Sequence, residues 1–126
     1  MEGRMTTYLF VTDPQIHNPS SIDDSGDDWW SCCKATTIGD TALVYLLGGP
    51  GIAYEWKATS AAQPHKVWRY ICYVRHVRTL DAPISIQEIK SLIPRDIWAA
   101  PYTNFRGVRC LRIPDEAAEA LRNLRL

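Results

Sequence analysis

The longest patterned stretch of the chain runs from Asp28 to Ala58, DWWSCCKATTIGDTALVYLLGGPGIAYEWKA. After polar Gly39-Asp40, the run from Thr41 to Leu47 is almost wholly apolar, and it breaks on Gly48-Gly49-Pro50-Gly51. Ile52, Tyr54, Trp56 and Ala58 then alternate with Ala53, Glu55 and Lys57, the period of two expected of a strand that buries one face. The pattern predicts a β-hairpin with a glycine-rich connection. Its first strand, apolar from Leu43 to Leu47, is expected inside a sheet covered on both sides.

Around the hairpin the same reading predicts a first strand from Thr6 to Thr12, rich in β-branched and aromatic residues and ended by Asp13-Pro14. Gln15 to Asp28 reads as a long surface loop, a length more often functional than idle. Ser31 to Thr37 is left between a short helix and an irregular connection. Trp68 to Val77 is a strand with Trp68, Tyr70, Cys72 and Val74 on one face; Ile71 and Tyr73 share the other with Arg69 and Arg75, a mixed face suited either to a ligand or to edge packing. Ser85 and Glu88 have capping-box spacing, with Ile84 and Ile89 at the staple positions, so a helix is predicted from Ile86 to Ile93, stopped by Pro94. Arg95 to Gly107 is expected to be irregular, Val108 to Ile113 a last strand, and Asp115 to Leu126 a closing helix with Ala117, Ala120, Leu121 and Leu124 on one face. This order predicts an α+β fold, a curled sheet or small barrel with helices over its ends.

At 126 residues, 46% of them hydrophobic and 22% charged, the chain is one domain able to bury its own core. No apolar run reaches the ~20 residues a membrane helix needs, and MEGRMTT contains no apolar signal core. A cytoplasmic protein with no membrane association is expected. Cys32, Cys33, Cys72 and Cys110 form no C-x-x-C pair, so they are read as structural thiols in a reducing compartment, with neither metal nor cofactor bound. Net charge is zero overall, yet residues 1–60 carry a balance of −5 and residues 61–126 one of +5, and ten of the 14 basic side chains are arginine. Such a half offers either a solvated mixed surface or a basic face for a polyanion.

Trp29 and Trp30 open the patterned stretch directly behind Asp23-Asp24-Ser25-Gly26-Asp27-Asp28. Tryptophans usually serve as core, but consecutive side chains diverge in a strand or a helix, so this pair cannot fill one core site. One of them is expected to line a surface or pocket.

Taken together, YLFVTDP, Trp29-Trp30 followed by Lys34, Gly39-Asp40, Tyr45, Gly51-Ile52, Trp68, the PI-x-I-x-x-I-K segment from Pro83, NFRG from Asn104 to Gly107, and IPDE resemble the EVE domain family, of the PUA-like superfamily that includes the YTH readers. The resemblance covers nearly the whole chain in order. It implies a PUA-like β pseudobarrel of five to six strands with short helices packed around it, and a non-catalytic reader that holds a modified DNA or RNA base in an aromatic-lined pocket. It places Trp29, Trp30, Ser31, Asn104, Phe105 and Arg106 at the ligand, with Tyr45, Trp56 and Tyr102 as further lining, and it implies an effector partner such as a nuclease. Asn104 would read a base edge and Arg106 a phosphate; turn chemistry before Gly107 is the plain alternative. The five aspartates Asp13, Asp23, Asp24, Asp27 and Asp28 depart from this picture, because they repel a phosphate backbone.

Two other functions stay open on the sequence alone. A small nucleoside amidohydrolase would draw on Lys34, Thr36, Thr37 and Asp40, although no nucleophile and base are evidently paired, and His17, His65 and His76 are scattered. A nucleotide-sensing or interaction domain needs no chemistry at all.

Overall fold

The computed structural model describes residues 5–126; residues 1–4, which open the segment read as lacking a signal core, lie outside the described residues. Among the described residues there are seven strands: β1 (Thr7–Thr12), β2 (Asp28–Ser31), β3 (Thr41–Leu46), β4 (Gly51–Ala58), β5 (Gln63–His65), β6 (Arg69–Ile84) and β7 (Cys110–Arg112). Two α-helices accompany them, α1 (Ile86–Leu92) and α2 (Asp115–Arg125). The strands form one sheet in the order β2-β6-β4-β3-β1-β7, with β5 paired to β6. β1 runs parallel to β3, and every other pairing is antiparallel.

The sheet is strongly curled. Laid flat, six strands would set the outer two roughly 24 Å apart at the usual inter-strand spacing. Instead Cys33, two residues beyond β2, and Cys110 in β7 have Cα atoms 5.6 Å apart and share a disulfide. Register shifts in β4, between Ile52 and Tyr54 and between Glu55 and Trp56, supply bends of the kind that β-bulges introduce. At Gly51, where φ is +104°, a Cβ would collide with the Ile84 carbonyl, so only glycine lets β4 pass so close to the end of β6.

Curling gives the sheet an inside and an outside, each with its own core. The inside holds Tyr8, Phe10, Ala42, Val44, Trp56, Cys72 and Val74, joined by Ile22 from the long loop. On the outside, Leu9, Val11, Leu43, Tyr45 and Ile84 meet Ile89, Ile93, Trp98, Phe105, Ala117 and Leu121 from the helical half. β1 and β3 are therefore buried on both faces, as the unbroken apolar run implied. The predicted capping box is present: the Ser85 hydroxyl accepts from the Glu88 amide, and the Glu88 carboxylate accepts from the Ser85 amide. In α2 the buried residues are Ala117, Ala118 and Leu121, while Leu124 is exposed.

Three expectations change. The tryptophan pair does not lead into the hairpin; it forms β2, an edge strand paired with β6 through Trp29↔Tyr73 and Trp30↔Cys72. β6 continues past Val77 to Ile84 because β4 offers it a full-length partner, and with β2 and β5 the strand count rises to seven. Cys33 and Cys110 are not free thiols, since the curl unites positions 77 residues apart; Cys32 and Cys72 are buried thiols, as expected.

Candidate functional site

A cavity of about 420 Å³ lies where the two ends of the strand order meet. That volume falls in the range of roughly 300–1,000 Å³ typical of ligand pockets. Its walls come from six places: Val11 and Thr12 at the end of β1, Asp13, Ile16 and His17 in the loop that follows, Trp29, Trp30 and Ser31 of β2, Leu47 and Trp68 in two separate turns, and Val108 and Arg109 just before β7.

The rings form a connected set. Trp30 meets buried Trp56 edge to face at 5.1 Å, His17 approaches Trp30 at 6.1 Å, and His17 lies 4.8 Å from Trp68. Trp29 is 43% exposed and lies on His65 with ring centres 5.4 Å apart. His65 also shapes its own turn. Its Nδ1 accepts from the amides of Val67 and Trp68, which fixes the bend that points Trp68 at the cavity. Facing these rings, the Arg109 guanidinium lies 5.0 Å from the centre of the Trp68 ring. Arg109 is itself placed by backbone pairing, its carbonyl accepting from the Val11 amide at 2.8 Å.

The loop leading to β2 carries negative charge. Asp23, Asp24 and Asp27 are exposed on the loop leading to β2, and Asp13 borders the cavity. Hydrogen bonds from the Ser25 side chain, and then from its amide, hold the Asp23 carboxyl below its ordinary range. The loop is anchored by the Asp23 carbonyl, which accepts from the His76 amide, and by the Gly26 carbonyl, which accepts from the Thr59 hydroxyl.

Trp29, Trp30 and Ser31 are brought together at this cavity, whereas Asn104, Phe105 and Arg106 lie outside its lining. Phe105 is 1% exposed and packs on Tyr45 and Trp98 in the outer core. The Asn104 side chain accepts from the Lys90 ammonium at 2.9 Å, and its backbone takes the left-handed conformation that ends a 3-10 turn at Ala100–Thr103. Arg106 is exposed on the same turn. The NFRG segment thus closes the helical half, which is the plain turn role.

Of the further lining residues, Tyr45 is in the outer core and Trp56 is fully buried inside the barrel, its indole N–H without an acceptor among the described residues. The Tyr102 hydroxyl donates to the carbonyls of Lys90 and Ile93 at the end of α1. Arg69 and Arg75 do not line the cavity either.

The residues considered for catalysis are also placed elsewhere. The two carboxylate oxygens of Asp40 accept from the Thr6 and Thr37 amides, so this carboxylate serves a turn. Thr36 is buried, Thr37 and Lys34 are exposed, and none of the four borders the cavity.

Trp68, His17 and Arg109 are aromatic or charged cavity residues that the sequence did not place at a ligand. A tryptophan beside His65-Lys66-Val67, in a stretch otherwise fit for a turn, was a usable signal for Trp68. Nothing local marks His17 or Arg109.

No protein-family profile matches the sequence, and no curated protein matches it. Solved structures do. A Pseudomonas putida protein superposes with a TM-score of 0.77 at 18% identity, over 95% of this chain and 99% of that one. Human THYN1, crystallised with DNA containing 5-methylcytosine, gives 0.68 at 16% identity, over 94% and 96%. The YTH domain of the Zygosaccharomyces rouxii MRB1 protein, crystallised with N6-methyladenosine RNA, gives 0.51 at 12% identity, over 98% and 90%. Coverage is nearly complete on both sides in each case, so the likeness extends to the whole domain. The chain has the EVE/PUA-like α+β pseudobarrel fold that its sequence resembles.

Proposed function

We propose that the protein is a non-catalytic reader that takes a single modified nucleobase into the cavity between Trp29, Trp30 and Trp68. The observation that carries this reading is the cavity itself: three indoles and the His17 ring line a space large enough to admit a base, open at the seam of the barrel. A base leaving its stack loses a few kcal/mol, and stacking on aromatic side chains returns about 1–3 kcal/mol per base. Ser31, Asp13 and His17 offer hydrogen-bonding groups for the base edge, and Arg109 offers a guanidinium for the flanking phosphate. In this reading Trp68, His17 and Arg109 take the places at the ligand that the resemblance gave to Asn104, Phe105 and Arg106. The fold likeness to THYN1 with methylated DNA and to a YTH domain with methylated RNA supports the same class of ligand.

The test is thermal stabilisation by a matched panel: a DNA duplex with one 5-methylcytosine, an RNA with one N6-methyladenosine, and their unmodified counterparts. A ligand present at 100 times its Kd adds about 2.7 kcal/mol to folding stability. The reading expects a clear rise in Tm for a modified strand over its plain twin, lost in Trp30→Ala. Equal melting with every member of the panel would overturn it. The exposed aspartates of the loop before β2, with Asp13 in the cavity lining, favour one second reading, a sensor of free nucleosides, in which the nucleoside alone stabilises the fold and salt has no effect on binding.

A further inference from the structure

β2 and β7, the two ends of the strand order, are four and three residues long, and each is paired on one side only, β2 with β6 and β7 with β1. Among the described residues no backbone ladder joins them. Across the gap stand the aromatic and cation–π contacts of Trp30, His17, Trp68 and Arg109, together with the Cys33–Cys110 disulfide. The covalent bond does not line the cavity but ties together the two segments that do: Ser31 lies two residues before Cys33, and Val108 and Arg109 immediately precede Cys110. Building on the reader proposal, we propose that the Cys33–Cys110 disulfide is a reversible latch across the barrel seam, and that its reduction by a dithiol loosens the cavity wall and weakens ligand binding.

Both half-cystines are partly exposed, so a thiolate from solution reaches the bond. That thiolate attacks one sulfur, breaking the S–S bond and forming a mixed disulfide, while the other cysteine leaves as a thiolate and takes a proton. The reagent's second thiol then attacks the mixed disulfide, frees the remaining cysteine and closes the reagent's own disulfide. Two electrons and two protons pass from the dithiol to the protein; a small-molecule disulfide reverses the exchange. Cys72 stays out of this chemistry, and Cys32, whose thiol the hydrogen bond from Cys72 pulls down, is kept from solution by burial. Cys32 and Cys72 are buried and hydrogen-bonded to each other, and that bond, followed by burial, pushes the Cys72 thiol far up, so it is not a thiolate that attacks.

The test compares the protein before and after treatment with dithiothreitol, using acrylamide quenching of tryptophan fluorescence and amide hydrogen exchange. Trp56 and Trp98 are buried in the two cores, so a change in quenching reports Trp29, Trp30 and Trp68. Reduction is expected to raise quenching severalfold and to speed exchange of the Val11 amide, bonded to the Arg109 carbonyl, at least tenfold. Cys110→Ser should show the reduced behaviour without reagent and no response to it, while Cys72→Ser keeps the full response. A duplex with one 5-methylcytosine should bind the oxidised form at least tenfold more tightly than the reduced form. Unchanged quenching and exchange on reduction, or equal affinity of both forms, would sink the latch. Should Cys110→Ser fail to fold, the treated wild type alone decides. If quenching and exchange respond but neither form binds any member of the nucleic-acid panel, the reader proposal fails and the latch stands.

Discussion

The Arg109 guanidinium rests 5.0 Å from the centre of the Trp68 ring, joining two turns 41 residues apart at the mouth of one cavity. A cation held over an indole is attracted by the ring's quadrupole and stays oriented for a second, anionic partner. Arg109→Ala is expected to weaken binding of the modified strand about tenfold, and to lower the slope of log affinity against log salt by about one, as loss of one phosphate contact does. Titrations at three salt concentrations measure both. An unchanged slope would leave Arg109 as a wall residue only.

Trp30 and Phe105 separate the cavity at the seam from the turn that the family resemblance favoured. Trp30→Leu keeps apolar contact with Trp56 but removes the stacking surface, so affinity should fall by roughly 5- to 150-fold, equivalent to about 1–3 kcal/mol. Phe105→Ala should instead cost about 3–5 kcal/mol of stability through the void left between Tyr45 and Trp98. Urea unfolding of both variants, with binding measured where each is folded, checks the assignment. Loss of binding by a fully stable Phe105→Ala protein would move the site to the helical half.

The elements that were legible in the sequence are those whose stability is local or whose burial is two-sided. Ser85 and Glu88 announce α1 because a capping box is closed within four residues, and the run from Leu43 to Leu47 announces a strand between two cores. β2 was not legible, since Asp28-Trp29-Trp30-Ser31 has neither alternation nor length and becomes a strand only because β6 offers it an edge. The cavity was half legible. Trp29 and Trp30 stand out as a pair, while Arg109 and His17 join them through the curl of the sheet, which no short window of sequence records. The same curl explains the missed disulfide, and the NFRG segment reads either way because a turn that closes a helical layer uses the same polar residues as a binding loop.

The acidic loop before β2 should act as a brake on nucleic-acid binding. Asp23, Asp24 and Asp27 are exposed, and Asp23 is held in its charged form by Ser25. Replacing all three by asparagine removes repulsion felt across about 8–10 Å at ordinary ionic strength, so duplex affinity should rise severalfold at low salt and hardly at all at high salt. A fluorescence anisotropy series in salt decides it.

Folding stability should carry an acid-sensitive increment from Glu88. The Arg125 guanidinium donates to its carboxylate at 2.6 Å, and this hydrogen bond, ahead of the one from the Ser85 amide, holds the Glu88 carboxyl below its ordinary 4.5. A depressed native pKa means the increment is whole above about 4.5 and disappears as pH falls through the lower native value. The gap in urea midpoint between wild type and Glu88→Gln should therefore be constant from about pH 7 to 5 and close below about 4. The pair is partly exposed, so the gap is small.

Removing the cross-link should cost roughly 2–5 kcal/mol, read as a fall in Tm of Cys33→Ser relative to the oxidised wild type. The same fall should follow reduction of the wild type, and reduction of the variant should change nothing further. A variant as stable as the oxidised protein would show that the cross-link constrains nothing the fold does not already hold.

β1 is made first, yet it pairs with both β3 and β7, and the cavity draws its walls from residues 11 to 109. A ribosome-bound chain can therefore assemble the hairpin early but owns no binding pocket until the segment around Val108 has emerged. Contacts so distant along the chain make closure the slow event of folding. Premature release would leave an open, sticky sheet, and the cavity is completed all at once, by the last strand to arrive.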